Sequence, residues 1–362
     1  MTNVLLLGAG KIGIAIAQLL TDSGDYTVTV ADLDEESMST MQEGVATRVL
    51  DVTDDAALRE ALGGTNVVIS ACPYFLSLPI ARAAAECGVH YFDLTEDVAT
   101  AREIRKLSEG ADVLFAPQCG LAPGFISIAA YALTKRFESL HRVRMRVGAL
   151  PLFPANRMKY NLTWSTAGLI NEYCNPCQVV YDGSLREVLP LEGLEQFSLD
   201  GVTYEAFNTS GGLGTLAETL EGKVEHLSYK TIRYPGHCEL MRFLCNDLRL
   251  AKRRDLFLDV LENAVPMTTQ DVVLIFVSVS GTRNGQLMQE TFTKKVYHRE
   301  IGGRPLAAIQ ITTATSVCAI VDLHREGTIK KTGFLCQEEV ELDAFLKNRF
   351  GQHYDTEGVT PT

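Results

Sequence analysis

The sequence predicts an α/β protein, and two features carry this prediction. The first third of the chain alternates short apolar runs with segments of helical spacing, and a glycine-rich motif follows the first apolar run directly. Strands that are apolar throughout and alternate with helices form parallel sheets covered by helices on both faces. After Gly120 the pattern changes to alternating polar and apolar residues, which predicts a second domain of α+β type with an open antiparallel sheet.

The first third is expected to contain six strands and four helices. The strands are β-branched or continuously apolar and are bounded by Gly, Asp or Asn; we predict them at 4–7, 27–31, 47–50, 67–71, 91–94 and 113–116. Helical spacing places the helices at 12–20, 56–62, 79–87 and 99–107.

The remainder mixes longer alternating strands with helices. We predict strands at 141–147, 179–181, 230–234, 272–279 and 289–297, and helices at 125–137, 239–244, 256–263 and 307–324. The end of the chain from Gly351 is polar, and we expect it to be frayed.

Composition excludes several classes of protein. The 362 residues carry a formal net charge of -12 and no basic run, so a nucleic-acid surface is not expected. The first apolar run is interrupted by Gly8 and Gly10, far short of a membrane span and unlike a secretory signal. The nine cysteines are scattered through apolar segments, as reduced buried thiols are. We expect a cytoplasmic protein with neither a membrane partner nor a bound metal.

The glycine motif predicts a dinucleotide site. Gly8-Ala9-Gly10-Lys11-Ile12-Gly13 has the G-x-G-x-x-G pattern and stands between a strand and a helix. Gly8 permits the tight turn, Gly10 lets backbone amides approach a pyrophosphate, and Gly13 lets the helix pack on the sheet. The helix N-terminus, with Lys11 and Ile12, then faces the anion. We therefore predict a Rossmann domain.

An acid at the end of the second strand selects the cofactor. Asp32 stands roughly 20 residues past the last glycine, where a carboxylate receives the ribose hydroxyls. It would repel a 2′-phosphate, and no Arg or Lys lies between residues 31 and 41 to receive one. The predicted cofactor is therefore NAD. Asp51, after the third strand, is either an adenine contact or a helix cap, and Cys72 and Pro73 after the fourth strand are predicted to complete the cofactor site.

Three further stretches and one turn resemble a known family. They are residues 72–74 (CPY) with 88–96 (GVHYFDLTE), residues 120–124 (GLAPG), residues 159–165 (KYNLTWS) and the turn at 230–237 (KTIRYPGH). With the glycine motif, they resemble the saccharopine dehydrogenase (saccharopine reductase) family, and within it the L-lysine 6-dehydrogenase branch. The resemblance covers nearly the whole chain.

The resemblance implies a domain order and a chemistry. It implies a Rossmann domain at 1–122, an inserted α+β domain at 123–325 that binds substrate and forms a homodimer, and a segment at 326–350 that returns to the Rossmann domain through a helix, which residues 340–349 fit. Residues 351–362 are left as a tail. It also implies that a side-chain amine is oxidised by hydride transfer through an imine. Members that act on the bulky substrate saccharopine often carry an extra helical subdomain. The short chain leaves no room for one, which favours L-lysine, converted to 2-aminoadipate 6-semialdehyde.

Candidate catalytic residues follow the strands of the first domain. Four residues lie at or near carboxyl ends of strands, where substrates of open α/β sheets bind: Tyr74, His90, Asp93 and Glu96. We predict Asp93 as an orienting residue or general base, with a helix cap as the alternative, and Tyr74 as a contact to the nicotinamide or the substrate. His90 precedes its strand and is expected to be structural.

Candidate substrate residues lie in the second domain. A guanidinium binds a carboxylate bidentately, so Arg233 in the Arg-Tyr-Pro-Gly turn is predicted to hold the substrate α-carboxylate, with a surface arginine as the alternative. His237 is either a general base or a residue that merely starts a helix. Lys159 and Tyr160 are predicted to line the pocket.

Two other functions stay open. One is a saccharopine-type dehydrogenase that forms a carboxyalkyl amine by reductive condensation, and the other is a regulatory protein that binds NAD without turnover. The C-x-x-C at residues 174–177 lacks a second pair or a thioredoxin-like setting and is interpreted as a structural turn. The glycine-rich run at 210–215 lacks the Gly-Lys-Ser/Thr of a phosphate loop.

Overall fold

The computed structural model describes residues 1–42 and 44–355, which form two compact units. Unit 1 contains Met1–Phe125, Ile301–Arg304 and Gln310–His353. Unit 2 contains Ile126–Glu300, Pro305–Ile309 and the described residues from Tyr354 onward.

Unit 1 is built on a seven-stranded parallel sheet. Its strand order is β3-β2-β1-β4-β5-β6-β17, in which the chain reverses direction across the sheet between β1 and β4. The strands are β1 (Thr2–Leu7), β2 (Tyr26–Asp32), β3 (Ala46–Val49), β4 (Val67–Ser70), β5 (His90–Asp93), β6 (Leu114–Ala116) and β17 (Gly333–Phe334). The predicted α/β class with a parallel Rossmann sheet is confirmed.

Helices alternate with these strands along the chain. They are α1 (Lys11–Asp22), α2 (Glu35–Met38), α3 (Asp55–Leu62), α4 (Ser77–Cys87) and α5 (Val98–Leu107), followed near the end of the chain by α11 (Ala308–Arg325) and α12 (Leu342–Lys347). Strands β1 and β4 are buried almost throughout, which is why they are apolar without alternation. Each fully buried aliphatic side chain in this core contributes about 1.5–3 kcal/mol of transfer free energy.

The observed helix caps of unit 1 exclude the two cap residues that the sequence had left open. The carboxylate of Asp54 accepts hydrogen bonds from two backbone amides at the start of α3, and that of Asp97 accepts one at the start of α5. The caps are therefore neither Asp51 nor Asp93.

The C-terminal part of the chain is anchored in unit 1. β17 pairs with β6, and the buried carboxylate of Asp322 accepts hydrogen bonds from Tyr26, Asn348 and Arg349. The last helix is shorter than the predicted 340–349, because a 3-10 turn (Gln337–Glu339) precedes it. The expected fraying at 351 is wrong for residues 351–354, which form a 3-10 helix with Tyr354 fully buried. Residues 356–362 of the predicted tail lie outside the described residues.

Unit 2 is built on an eight-stranded mixed sheet. The main order is β10-β11-β12-β7-β13-β14, with β8 paired to β12 and β9. The strands are β7 (Ser139–Pro151), β8 (Cys177–Tyr181), β9 (Ser184–Val188), β10 (Glu195–Leu199), β11 (Val202–Asn208), β12 (Val224–Arg233), β13 (Asp271–Arg283) and β14 (Gln286–Tyr297). The predicted antiparallel sheet needs correction: β7 is central and parallel to β12, and it is buried from Met145 onward rather than half-exposed.

A helical cluster lies beside this sheet within unit 2. Around one apolar core pack α7 (Thr166–Cys174), α9 (His237–Arg242), a π-helical segment (Phe243–Asp247), a 3-10 turn (Leu250–Lys252) and α10 (Arg254–Ala264). The expectation that the chain has no room for an additional helical group is therefore wrong, and the preference for a small substrate cannot rest on it.

Two further helices and two short strands complete the description. α6 (Phe125–Thr134) and α8 (Leu216–Leu220) belong to the second half of the chain, and β15 (Arg299–Ile301) pairs with β16 (Arg304–Leu306). Residues 310–325 of α11 fall in unit 1, which differs from the predicted domain boundary at 325. Among the helices that the structure describes, none has both the length and the apolarity that crossing a bilayer demands.

Candidate active site

The glycine turn between β1 and α1 has the shape that a diphosphate requires. Gly8 has φ +103°, and a Cβ there would come within 2.9 Å of the Ala71 carbonyl oxygen. A Cβ on Gly13 would overlap the Gly8 carbonyl oxygen. At Gly10, by contrast, no atom lies within 4 Å of the position of a Cβ. The first and third glycines are thus required by the fold, whereas the second leaves open space where a pyrophosphate would approach the backbone.

Lys11 and Ile12 begin α1 at the edge of this turn. The Lys11 side chain is exposed, and partial burial lowers its pKa from the ordinary value. Ile12 is half-buried. The Lys11 carbonyl accepts a hydrogen bond from the Gln310 side-chain amide at 3.0 Å, which ties α11 to the glycine turn.

Asp32 is fixed against the same turn. One carboxylate oxygen accepts a hydrogen bond from the Ala9 amide at 2.6 Å, and the other accepts from the Asp34 amide at 3.0 Å. A carboxylate has about four lone-pair sites, so two remain for ribose hydroxyls. The residues present therefore fit a dinucleotide whose ribose is gripped by Asp32.

The surroundings of Asp32 are acidic. Asp34, Glu35 and Glu36 follow it and are exposed. Asp51, at the end of the neighbouring strand, is exposed too, and its carboxylate accepts hydrogen bonds from the backbone and hydroxyl of Thr53, which lower its pKa. The adenine contact of Asp51 stays a prediction.

Residues after β4 reach the same edge of the sheet. Cys72 is half-buried, and burial together with the charge of Asp32 raises the pKa of its thiol to about 12, so it is a neutral side chain. Pro73 is exposed and precedes a 3-10 turn that begins at Tyr74. Tyr74 is half-buried with its ring against exposed Phe75, where a nicotinamide or substrate contact stays a prediction.

Asp93 ends β5 but is closed off from solvent. Its side chain has no exposed surface, and it accepts hydrogen bonds from the Tyr91 hydroxyl and from the backbone amides of Thr95 and Gln118. Burial raises its pKa to about 6 despite these donors. A base must reach the proton that it removes, so this geometry gives Asp93 an orienting role in holding the loops after β5 and β6.

His90 lies at the opposite end of β5. Its Nδ1 accepts a hydrogen bond from the Leu114 amide, and its ring packs against His324. Burial lowers its pKa to about 4. This is the structural histidine that the sequence predicted.

Arg233 is the centre of a buried cluster in unit 2. It ends β12, is only 2% exposed, and has its guanidinium over the ring of Tyr160, 4.8 Å from the ring centre. Its Nε donates to the Tyr173 hydroxyl and its Nη1 to the Ile232 carbonyl. Within the described residues no carboxylate lies within 4.0 Å of it, and Nη2 has no hydrogen-bond partner. The surface-arginine alternative is therefore wrong.

Two hydroxyls of this cluster are buried. Among the described residues, Tyr160 Oη and Thr163 Oγ1 meet no hydrogen-bond geometry. Burial raises the pKa of Tyr160, while its neighbours Thr163 and Trp164 favour the ionised form. Either hydroxyl can donate to a carboxylate. Lys159 is exposed and donates to the Pro235 carbonyl at 3.1 Å, which fixes the Arg-Tyr-Pro-Gly turn.

His237 cannot serve as a general base in this arrangement. Its Nδ1 lies 2.9 Å from the Met158 carbonyl oxygen, and its Nε2 lies 3.2 Å from the Tyr173 hydroxyl. Burial and the nearby charge of Arg233 lower its pKa to about 3, so the ring is neutral. The catalytic assignment from the sequence is corrected: both ring nitrogens are committed to protein groups.

Comparisons of the sequence identify the family. Residues 4–117 match the model described as saccharopine dehydrogenase NADP binding domain, and residues 120–348 match that of the saccharopine dehydrogenase C-terminal domain. The chain belongs to the saccharopine dehydrogenase family. The family-level resemblance seen in the sequence is therefore confirmed, and unit 1 carries a pyridine-nucleotide-binding domain.

Relatives of this saccharopine dehydrogenase family member include two fungal enzymes. Saccharopine dehydrogenase [NADP(+), L-glutamate-forming] of Pyricularia oryzae is 26% identical over 75% of this chain and 63% of that protein. The Saccharomyces cerevisiae enzyme of the same name is 27% identical over 51% of this chain and 44% of that protein. The matched chain thus spans less than two thirds of either relative, and both names specify NADP.

A solved structure has the same fold. The apo form of saccharopine dehydrogenase (L-Glu forming) from Saccharomyces cerevisiae superposes with a TM-score of 0.77 over 93% of this chain and 94% of that chain, at 20% identity. The fold of this family member therefore extends over both units.

Sequence reasoning missed two residues of the buried cluster. Tyr173 and Glu172 lie on α7, a helix that was not predicted, and both are buried beside Arg233. The signal that was available is the position of α7 directly after the family-like stretch at 159–165.

Proposed function

We propose that this chain is an NAD-dependent oxidoreductase that acts on an amino-acid side-chain amine, with L-lysine as the substrate and 2-aminoadipate 6-semialdehyde as the product. Membership of the saccharopine dehydrogenase family supports an oxidoreductase of amino acids. The observation that carries the proposal is Arg233, a buried guanidinium with no carboxylate within 4.0 Å among the described residues; the charge of buried Glu172 acts on it only from beyond that distance. An unpaired buried charge is costly to the fold, and the α-carboxylate of an amino acid would compensate it.

The number of buried cations favours lysine. Arg233 is the one guanidinium in the described part of this cluster, so the cluster offers a strong partner to one carboxylate. Lysine has a single carboxylate, whereas saccharopine has three.

NAD is supported by the residues around the ribose site. A 2′-phosphate carries about two negative charges, and here it would meet Asp32 followed by Asp34, Glu35 and Glu36. Residues 31–41 contain no Lys or Arg. The proposal therefore departs from the NADP specified in the names of the fungal relatives.

The cofactor and the protein have separate roles in the proposed reaction. Bound nicotinamide accepts the hydride, and the protein supplies position and electrostatics. In the proposal the turn at Gly10 and the carboxylate of Asp32 hold the nucleotide, Tyr74 contacts the nicotinamide or substrate, and Arg233 with Tyr160 holds the substrate carboxylate. Asp93 orients the loop that follows β6.

A saccharopine-type dehydrogenase is the second candidate. It is favoured by the names of the relatives and by the helical cluster in unit 2, which removes the argument for a small substrate. In that reaction the secondary amine of saccharopine is oxidised to an imine as the cofactor is reduced. Hydrolysis of the imine by water gives either L-glutamate and the 6-semialdehyde, the direction that the relatives' names specify, or L-lysine and a keto acid.

A substrate panel separates the candidates. The purified protein is assayed by absorbance of the reduced cofactor with L-lysine or saccharopine plus NAD or NADP, and with amine–keto acid pairs plus NADH or NADPH. The proposal predicts that NAD is reduced when L-lysine is the only other substrate. Reduction of the cofactor by saccharopine and not by lysine, or oxidation of reduced cofactor only when a keto acid and an amine are both present, supports the second candidate. Binding of NAD without turnover of any mixture supports the regulatory alternative.

We also propose a homodimer, formed through the aromatic face of the mixed sheet. Phe197, Phe276 and Tyr297 pack on the apolar cluster of that face and are only half-buried. Aromatic side chains of this kind are enriched in protein interfaces. Light scattering is expected to give twice the chain mass, and Phe276→Glu to reduce it to the monomer mass; a monomeric wild type would contradict the proposal.

A further inference from the structure

Three hydrogen bonds connect Arg233 to the backbone through two neutral side chains. Arg233 Nε lies 3.0 Å from Tyr173 Oη, Tyr173 Oη lies 3.2 Å from His237 Nε2, and His237 Nδ1 lies 2.9 Å from the Met158 carbonyl oxygen. We call this the Arg233 relay. All three side chains are buried.

The direction of each bond in the relay is determined. A carbonyl only accepts, so His237 Nδ1 must carry the proton and donate it to Met158. Nε2 of the neutral ring is then an acceptor, and the Tyr173 hydroxyl must donate to it. The Tyr173 oxygen in turn accepts from Arg233 Nε. Every donor in the relay thus has one acceptor, and no alternative orientation satisfies all three bonds.

The relay fixes one edge of the guanidinium. Nε is held by Tyr173, and Nη1 is held by the Ile232 carbonyl at 2.9 Å. The ring of Tyr160 covers one face of the plane. Nη2 is left without a protein partner among the described residues, and Nη1 keeps a second N–H, so the outer edge of the planar fork is available to a ligand.

We propose that Tyr173 and His237 are positioning residues that act through Arg233: they orient its guanidinium so that Nη2 meets the carboxylate of the substrate. This inference rests on the proposed function, because it assumes an amino-acid substrate. It goes further by naming the residues that make the site selective for amino acids over amines without a carboxylate.

A purely structural role would have a different signature. If Tyr173 and His237 only stabilise the fold, their loss weakens every ligand alike. If they act through Arg233, their loss weakens carboxylate-bearing ligands and leaves amines of the same length unaffected. L-lysine and 1,5-diaminopentane make this comparison, because they share the reacting amine and differ by the carboxylate.

The experiment uses the full-length protein saturated with NAD. Binding of L-lysine, saccharopine and 1,5-diaminopentane is measured by calorimetry, and KM and kcat are measured for each ligand that turns over. Tyr173→Phe is expected to lower the affinity for the carboxylate-bearing ligand about 10-fold with little change in kcat. The affinity for 1,5-diaminopentane is expected to stay unchanged. His237→Leu is expected to cause the same loss of affinity as Tyr173→Phe. His237→Gln keeps an acceptor for the Tyr173 hydroxyl and is expected to restore most of the affinity. Tyr204→Phe is the matched control, since Tyr204 is a buried tyrosine of unit 2 outside the relay.

The outcomes separate this inference from the proposed function. If wild-type protein binds saccharopine and not lysine, the proposed substrate is wrong, and the relay is judged on saccharopine. Unchanged affinity in Tyr173→Phe, or equal losses for the carboxylate-bearing ligand and 1,5-diaminopentane, would overturn the relay while leaving the proposed function standing. Binding of none of the three ligands would overturn both.

Discussion

At the scale of single residues, the glycines of the opening turn have separable roles. Gly13 is required by packing, because a Cβ there would overlap the Gly8 carbonyl oxygen, whereas a Cβ on Gly10 meets no protein atom within 4 Å. The sequence motif predicts that Gly13 serves packing and that Gly10 serves the ligand. The structure agrees for Gly13 and leaves the space at Gly10 that the predicted role requires.

This difference predicts opposite behaviour for two alanine variants. Gly13→Ala is expected to lower the free energy of unfolding by about 1–3 kcal/mol through overpacking. Gly10→Ala is expected to change it by less than about 0.5 kcal/mol and to abolish measurable NAD binding. Urea unfolding and calorimetry check both. A Gly10→Ala protein that binds NAD as the wild type does would show that the pyrophosphate lies elsewhere.

The buried carboxyl of Asp93 predicts a pH dependence of stability. Burial raises its folded-state pKa to about 6 from the ordinary 3.8. The proton is therefore held more tightly in the folded state, and the stabilisation that it contributes is complete below about pH 4 and is lost as the pH rises through 6. The shift corresponds to about 3 kcal/mol.

The measurement compares wild type with Asp93→Asn by urea unfolding between pH 4 and 7. The difference in unfolding free energy, wild type minus variant, is expected to fall across this range, because the amide does not titrate. Asp271 also has a raised pKa of about 6 but is present in both proteins, so its contribution cancels. A difference that stays constant with pH would contradict the assignment.

Residue-level predictions from the sequence had uneven success for a physical reason. Residue type and position placed Arg233 and Tyr160 together, since both stood in stretches that resembled the family. The general-base role predicted for His237 was wrong because the sequence does not reveal whether a side chain is buried. A histidine after a Pro-Gly turn can act as a base only if one of its ring nitrogens is free. Here both nitrogens are taken by Met158 and Tyr173.

At the scale of helices and strands, the aspartates that cap α11 and α3 contribute different amounts to the free energy of unfolding. The carboxylate of Asp271 is fully buried and accepts hydrogen bonds from the Ala308 and Ile309 amides at 2.6 and 3.1 Å, at the start of α11. Asp54 makes the equivalent bonds at the start of α3 but is exposed.

Removing the two caps should therefore have unequal costs. Asp54→Ala is expected to lower the free energy of unfolding by about 1 kcal/mol. Asp271→Ala is expected to cost about 2–4 kcal/mol, because two buried amides lose their acceptor. Urea unfolding at pH 7 measures both, and equal losses would contradict the reasoning from burial.

The strands of unit 1 could be predicted from sequence, whereas several of unit 2 could not. β1 and β4 are buried on both faces, so continuous apolar runs mark them. β10 and β11 contain charged residues whose partners are distant in sequence: Glu195 pairs with Arg146, and Glu205 accepts from two amides at the start of α9. Helix α7 was missed for the same reason, since its polar residues Asn171 and Glu172 are buried by tertiary contacts.

At the scale of the whole molecule, each unit holds one part of the proposed chemistry. Unit 1 has the family's nucleotide-binding domain with its glycine turn and Asp32. Unit 2 has the buried guanidinium and its relay. The family was recognisable from short motifs because they are the segments around these two features. Of the helical cluster in unit 2, the sequence predicted α9 and α10 but neither α7 nor the packing of the three helices around one core.

The most direct test of the central claim is a calorimetric titration of NAD and NADP into the full-length wild-type protein at one salt concentration. Backbone amides at Gly10 and the carboxylate of Asp32 predict one site per chain, with NAD bound at least about 10-fold more tightly than NADP. Absence of heat with both nucleotides, or tighter binding of NADP, would contradict the account.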